Sequence, residues 1–158
     1  MFPMKSLLVV FSYNYNNTEK VAKVFANVLD AQIKTPQQVD PKGLQEYDLV
    51  CFGAGIDSGK HYKPLLDLAD KLPQINNKNA FLFSTAGVTG EKKLTKDHST
   101  LREKLETKGY MIVKEFQCKG FNTNLFLKFF GGMNRGRPND KDLKNAEEFA
   151  LDLKQYVN

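Results

Sequence analysis

The stretch LLVVFSYNYNNTEK, Leu7 to Lys20, joins a short apolar run to a polar loop and the start of a helical pattern. The run Leu7 to Phe11 is apolar at every position, which is typical of a central strand covered on both faces. After the loop, apolar residues recur at i, i+4, i+7 and i+8, the stripe by which a helix packs on a sheet: Val21, Phe25, Val28 and Leu29. The stretch therefore predicts a strand–loop–helix unit.

The same alternation continues along the chain. Three further apolar runs predict strands: LVCFG (49–53), AFLFS (80–84) and MIVKEF (111–116), while the shorter, more polar AQIKT (31–35) predicts an edge strand. Strands that alternate with helices through short links indicate right-handed crossovers and a doubly wound parallel sheet, with helices on both faces. We therefore expect an α/β fold with five parallel strands.

Three more apolar stripes predict the remaining helices. The second helix follows Pro64, the third ends at Gly109, and the last begins at a cap formed by Asn139 or Asp140. Their stripes are Leu65, Leu68, Ala69 and Leu72; Leu94, His98, Leu101 and Leu105; and Leu143, Ala146, Ala150, Leu153 and Val157. No linker divides residues 1–158, so we expect a single domain, with an aromatic-rich insertion at about 119–140 that carries Phe121, Phe126, Phe129 and Phe130.

Composition excludes several classes of protein. No stretch approaches the roughly 20 apolar residues of a membrane span, and the first apolar run is too short for a signal peptide, so we expect a cytoplasmic protein. The net charge is +5, but the lysines are spread along the chain without a basic block, so we expect no nucleic-acid partner. Cys51 and Cys118 form no CxxC pair and give no zinc pattern. We expect Cys51 to be buried, whereas the sequence is compatible with either a buried or an exposed thiol at Cys118.

A doubly wound sheet binds ligands beyond the carboxyl ends of its strands, where the strand order reverses. The relevant loops follow Phe11, Gly53 and Ser84. The first loop, Ser12 to Lys20, offers hydroxyl and amide side chains without a cation before Lys20, and backbone N–H groups at the start of its helix favour an anion such as a phosphate monoester. The alternative is an ordinary helix cap at Asn17 or Thr18 with nothing bound.

At this loop the sequence resembles the flavodoxin family, whose phosphate loop ends in the N-T-E found here in NNTEK. The resemblance covers most of the chain, and it implies a flavodoxin-like sheet of order 2-1-3-4-5 that binds flavin mononucleotide (FMN). It places the phosphate among Ser12, Tyr13, Asn14, Tyr15, Asn16, Asn17 and Thr18. Tyr15 stands where the family has Thr, and Asn16 where it has Gly, although Asn tolerates a left-handed backbone.

The resemblance also implies that two later loops hold the flavin ring. Their residues are Ala54, Gly55, Ile56, Asp57, Ser58 and Gly59 after the third strand, and Thr85, Ala86 and Gly87 after the fourth. Since the chain has no Trp, an aromatic side chain stacked on the ring would be Tyr62, His61 or Tyr15. His98 lies on an apolar stripe, which favours a packed or capping histidine over a proton donor near the flavin.

Three functions remain open. The first is electron transfer with a redox partner protein, a reductase or a ferredoxin-type donor, and the second is an FMN-dependent oxidoreductase of the quinone reductase or protoporphyrinogen oxidase type, with a small quinone-like acceptor. The third is a flavin-free binding module of the same fold. No residue is assigned a catalytic or metal-binding role, and either a monomer or a homodimer fits. A phosphoryl-accepting receiver domain is disfavoured because FSYN and FGAG lack its acidic cluster.

Overall fold

A parallel β-sheet forms the centre of the molecule in a computed structural model that describes residues 4–12, 17–120 and 136–157. The strands are β1 (Ser6–Phe11), β2 (Gln32–Lys34), β3 (Leu49–Asp57), β4 (Lys60–His61), β5 (Lys78–Ala86) and β6 (Tyr110–Lys119). The helices are α1 (Asn17–Leu29), α2 (Lys63–Lys71), α3 (Glu91–Asp97), α4 (Ser99–Thr107) and α5 (Asp140–Val157), with a 3-10 helix at Pro41–Glu46.

The strand order confirms the predicted topology. Five strands pair in parallel in the order β2-β1-β3-β5-β6. This is the predicted order 2-1-3-4-5, because the short strand β4 shifts the numbers of the last two strands by one. The extra strand is β4, which pairs antiparallel with the end of β3. Because β4 is only two residues long, it has no hydrophobic period by which sequence could reveal it.

Both faces of the sheet are covered, as the continuous apolar runs predicted. On one face, α2 and α4 contribute Leu65 and Leu101 to a core that contains Phe52. On the other face, α1 contributes Phe25, whose ring makes edge contacts with the rings of Phe81, Phe83 and Phe116. Burial of one such side chain contributes about 1.5–3 kcal/mol.

The predicted third helix is two helices in the structure, and this part of the prediction is wrong. α3 ends at Asp97 and α4 begins at Ser99, with His98 at the junction. The stripe nevertheless faces the protein interior, since His98, Leu101 and Leu105 are fully buried. The break occurs where the His98 side chain turns toward polar partners described below.

The last helix begins as predicted, with Asn139 as its cap. The Asp142 amide donates to Asn139 Oδ1, and the Asn139 amide donates to Asp142 Oδ2, both at 2.9 Å. This reciprocal pair is a capping box, and such caps contribute on the order of 1 kcal/mol. Arg137 also binds the Asp142 carboxylate through two N–H groups.

Most of the insertion predicted at about 119–140 lies outside the described residues, including its four phenylalanines. Within the described ranges, none of the helices combines the length and apolar character that crossing a bilayer requires. Both cysteines are buried, so an exposed Cys118 thiol is not observed. Burial raises the pKa of Cys118 to about 12 and that of Cys51 well above its usual value.

Candidate functional site

The carboxyl ends of three neighbouring strands meet at one edge of the sheet. Phe11 at the end of β1 pairs with Ala54 of β3, and Gly55 pairs with Thr85 of β5. The chain leaves β1 and β5 directly after these positions, and β3 continues only to Asp57. The structure therefore brings the starts of all three predicted loops to a single edge.

Only the two ends of the first loop are described, because Tyr13, Asn14, Tyr15 and Asn16 lie outside the described residues. At one end, the Ser12 hydroxyl accepts a hydrogen bond of 3.2 Å from the Glu19 amide. An oxygen acceptor at this place satisfies one of the free N–H groups of the first turn of α1. Ser12 therefore supplies one cap of α1.

Thr18 and Thr85, two of the predicted site residues, touch each other directly. Their hydroxyl oxygens lie 2.8 Å apart, and the side chains are almost fully buried. The contact joins the first turn of α1 to the end of β5, and so joins the first predicted loop to the third. Both residues therefore position these loops.

Asn17 fixes the same helix end against the last strand. A Cβ atom at Gly120 would lie 2.7 Å from the Asn17 side-chain nitrogen, so only glycine leaves room for this approach. The Gly120 amide donates to the carbonyl of Ala86, which extends the pairing of β5 with the chain after β6. Asn17 and Ala86, predicted in different loops, thus lie on either side of Gly120.

The second predicted loop is largely a tight β-hairpin. β3 continues through Ala54, Gly55 and Ile56, and Asp57 pairs with Lys60 across a two-residue turn. Ser58 and Gly59 have φ values of 55° and 81°, the two left-handed residues that hairpin turns of this length prefer. Asp57, Ser58 and Gly59 are exposed, so the tip of this hairpin is the part of the loop that is open to a ligand.

Two other residues of this loop, Ala54 and Gly55, are buried in the protein interior. Ala54 is fully buried in the core on the α2 face. Gly55 is buried under Tyr62, since a Cβ atom there would lie 2.6 Å from the Tyr62 ring. The Tyr62 amide also donates to the Gly55 carbonyl. The small size of Gly55 is therefore required by Tyr62, whether or not a ligand approaches.

Of the aromatic side chains predicted to stack on a ligand ring, His61 is buried. Its exposed fraction is 1%, and its Nε2 lies 3.0 Å from the Phe83 carbonyl oxygen. Tyr62 is half-buried and packs edge-on against Phe11, with ring centroids 5.8 Å apart. Of the three candidates, Tyr62 is thus the one that the described part of the chain shows to be partly exposed.

A buried polar network lies next to the third predicted loop, and sequence reasoning did not find it. His98 Nε2 lies 2.7 Å from Ser84 Oγ, and His98 Nδ1 lies 2.9 Å from Glu115 Oε1. Arg102 makes two hydrogen bonds to the Glu115 carboxylate, of 2.9 Å and 2.7 Å. The available signal was Glu115 itself, a charged residue inside the apolar run MIVKEF.

The charges of this network depend on its hydrogen bonds. Burial alone would raise the pKa of Glu115, but hydrogen bonds from His98 and Arg102 outweigh burial and lower it to about 2. Burial, followed by the proximity of His98, lowers the pKa of His61 to about 3. At neutral pH, Glu115 is therefore an anion and His61 is uncharged.

Uncharged hydroxyl and amide side chains lie next to the start of α1 and at the end of β5. Ser12, Asn17, Thr18 and Thr85 carry hydroxyl or amide groups, and among the described residues there is no cluster of His, Cys, Asp and Glu that could hold a metal ion. Hydroxyl and amide donors at a helix start fit a phosphate group, and the exposed hairpin tip fits the edge of a flat ring.

The strand order and the parallel pairing together define a doubly wound α/β fold. Over residues 8–150 the chain matches the flavodoxin domain family. It is 45% identical to an uncharacterised protein of Methanocaldococcus jannaschii, over 95% of this chain and 98% of the relative. The protein therefore belongs to the flavodoxin domain family.

Solved structures agree with this fold. Oxidised flavodoxin 2 from Bacillus cereus superposes with a TM-score of 0.72 and 17% identity, covering 96% of this chain and 99% of that one. A flavodoxin from the domain Archaea superposes with a TM-score of 0.63 and 19% identity, covering 98% and 99%. At these identities the likeness shows the fold alone.

Proposed function

We propose that this protein binds one FMN at the carboxyl edge of β1, β3 and β5 and transfers electrons through it. The observation that carries the proposal is the meeting of the three loop starts at this edge, in a chain of the flavodoxin domain family. FMN supplies the electron transfer, and the protein supplies binding, orientation and the local field.

In this proposal, the loop between β1 and α1 holds the phosphate. The residues involved are Ser12, Tyr13, Asn14, Tyr15, Asn16, Asn17 and Thr18. The start of α1 supports this role, because a helix of 13 residues directs free N–H groups and partial positive charge toward the loop. No residue from Ser12 to Thr18 carries a charge, so affinity for the phosphate would depend mainly on these neutral donors.

The flavin ring would lie between the hairpin tip and the end of β5. On the hairpin side the proposed contacts are Ala54, Gly55, Ile56, Asp57, Ser58 and Gly59, and on the β5 side Thr85, Ala86 and Gly87. The exposure of Asp57–Gly59 and the partial exposure of Gly87 favour contact through these residues. Ala54, Gly55 and Thr85 are buried, so they would act mainly by shaping the edge.

The electron donor and acceptor are proposed by class. A reductase or a ferredoxin-type protein would supply electrons, and a redox protein or a small quinone-like molecule would accept them. The match to the flavodoxin domain family over residues 8–150 supports this carrier role.

The experiment is a titration of purified protein with FMN, with riboflavin as the matched control. We expect FMN to bind with a shifted visible spectrum and riboflavin to bind much more weakly, because riboflavin lacks the phosphate. Absence of FMN binding at high micromolar concentration would overturn the proposal. Turnover of NAD(P)H with a quinone by the loaded protein would replace the carrier role with an enzymatic one.

A further inference from the structure

The chain has two histidines, and both are buried against each other. His61 exposes 1% of its surface and His98 none, and their ring centroids lie 4.8 Å apart. His61 follows the exposed hairpin tip, and His98 is the residue between α3 and α4. The ring contact therefore links the hairpin to the helices that follow β5.

Hydrogen bonding fixes the tautomer of His61. A carbonyl oxygen can only accept, so the Nε2 atom next to the Phe83 carbonyl must carry the hydrogen. Nδ1 is then a bare acceptor, and it has no hydrogen-bond partner in the described part of the chain. The single bond to Phe83 holds β4, and with it the hairpin, against β5.

His98 requires the opposite tautomer. The ionised carboxylate of Glu115 only accepts, so Nδ1 of His98 carries the hydrogen. In the neutral ring, Nε2 then accepts from the Ser84 hydroxyl. The Gln117 side-chain amide donates to the same hydroxyl oxygen at 3.1 Å, which leaves the Ser84 hydrogen free to point at His98.

The two carboxylates near His98 each form an ion pair with a lysine or an arginine. The two carboxylates are Glu115, which binds Arg102, and Asp97, which binds Lys93 at 2.6 Å. Gln117 also donates to the Asp97 carboxylate at 2.9 Å. Each of these two carboxylates therefore has a cationic partner of its own.

The series Ser84–His98–Glu115 has the order of a nucleophile, a base and an orienting carboxylate. Ser84 is fully buried, however, so its hydroxyl cannot reach a substrate. The series instead fixes the position of Ser84 at the end of β5. Ser84 directly precedes Thr85, the first residue of the third predicted loop.

We propose that His98 is a positioning residue for the flavin site. Its Nε2 holds Ser84 and thereby the start of the Thr85–Gly87 loop, and its ring supports His61 and thereby the Asp57–Gly59 turn. One imidazole thus sets the spacing of the two loops that would hold the flavin ring. This inference rests on the proposed function, and part of its test needs no flavin.

The flavin-free test measures amide hydrogen exchange in two variants. In His98→Gln, the longer amide can reach Ser84 where Nε2 stood, whereas in His98→Asn the shorter amide replaces only Nδ1. We expect His98→Asn to speed exchange about tenfold at 57–61 and 84–87. His98→Gln should restore slow exchange at 84–87 but not at 57–61, because Gln can reach Ser84 but has no ring to support His61. Leu101→Ala, a buried change on the neighbouring helix α4, is the control and should speed exchange across α4 instead.

Two outcomes overturn the proposal in this test. One is unchanged exchange at both loops in His98→Asn, and the other is an exchange pattern identical to that of Leu101→Ala. If His98→Asn does not fold, nitrogen NMR spectra of the two histidine rings in the unaltered protein test the proposal, because they report which ring nitrogen carries the hydrogen. Opposite tautomers support the proposal, and a shared tautomer contradicts it.

The flavin-bound test measures FMN affinity and midpoint potential. We expect His98→Asn to weaken FMN affinity about tenfold and to shift the potential, and His98→Gln to have a smaller effect because it keeps the contact with Ser84 but not the ring contact with His61. If the unaltered protein binds no FMN, the proposed function fails, while the exchange data still decide whether His98 holds the loops. If it binds FMN and His98→Asn matches it in affinity and potential, the positioning role is wrong.

Discussion

The hydroxyl groups of Thr18 and Thr85 lie 2.8 Å apart in a buried contact that joins the start of α1 to the end of β5. The two residues are far apart in sequence, and each lies at the start or end of a loop proposed to hold the ligand. Because one hydroxyl must donate to the other, the pair fixes two loops with a single hydrogen bond.

The first prediction concerns this pair. Thr18→Val or Thr85→Val leaves one buried hydroxyl without a partner, which costs about 1–3 kcal/mol of unfolding free energy. The double variant should recover much of this loss because neither hydroxyl remains. Urea unfolding of the four proteins gives the coupling free energy, and Thr35→Val at an exposed position is the control. Additive losses would show that the hydroxyls do not interact.

The main sheet could be predicted because its strands are covered on both faces. Leu7–Phe11 and its counterparts in β3 and β5 are therefore continuous apolar runs. Strand β4 could not be predicted, since its stability comes from pairing with β3 rather than from its own pattern. The break at His98 was also hidden, because the residue keeps the helical spacing of Leu94 and Leu101 while its ring bonds to polar side chains.

The candidate site was predictable in its location but not in its contacts. Loop starts after Phe11, Gly53 and Ser84 follow from strand order alone. By contrast, the Gly55 contact with Tyr62 depends on how the hairpin folds back. A glycine next to a predicted ligand is equally compatible with a close protein contact, and only the structure distinguishes the two.

The second prediction compares two glycines near the site. A Cβ atom at Gly53 would lie 1.9 Å from the Phe83 ring, so Gly53→Ala should cost about 1–3 kcal/mol or more through overpacking. Gly59 has open space around it but a φ of 81°, so Gly59→Ala should cost only about 1 kcal/mol of backbone strain. Thermal or urea unfolding measures both.

A second substitution separates packing from strain. Phe83→Leu removes the ring that a Cβ at Gly53 would meet, so Gly53→Ala should cost less in that background than in the unaltered protein. The same background should leave the cost of Gly59→Ala unchanged. An equal cost of Gly53→Ala in both backgrounds would contradict the packing explanation.

The third prediction is a loss of stability in acid. His61 has a folded pKa of about 3 against an ordinary value of 6.5, so the unfolded chain binds more protons between these values. Glu115, at about 2 against 4.5, acts in the same direction at lower pH. The contribution of these two groups to the free energy of unfolding should therefore be complete above pH 6.5 and fall steadily as the pH drops toward 2.

The variant His61→Gln tests which group causes the upper part of this loss. Gln keeps a donor for the Phe83 carbonyl but does not titrate, so the fall between pH 6.5 and about pH 4.5 should flatten. Glu115→Gln should leave that range steep and flatten the loss below pH 4.5. Urea unfolding at several pH values measures both slopes, and an unchanged upper slope in His61→Gln would mean that another group binds the proton.

The fourth prediction concerns the redox potential of bound FMN and rests on the proposed function. Lys60, Lys63, Lys92, Lys93 and Lys96 follow β3 and β5, and positive charge near a flavin favours its reduced form. In the structure Lys63 binds Asp67 and Lys93 binds Asp97, so each of their charges has a partner. None of the ion pairs in the described part of the chain includes Lys92. A change at Lys92 therefore alters one charge without breaking an ion pair, unlike a change at Lys63 or Lys93.

Lys92→Glu should lower the midpoint potential by a few tens of millivolts at low ionic strength, and added salt should reduce the difference because the charge is exposed. Lys144→Glu, an exposed change on α5, is the matched control, since it alters net charge equally without lying after β5. Spectroelectrochemistry at two salt concentrations measures these shifts. Equal shifts in both variants would show that net charge, rather than the position of Lys92, sets the potential.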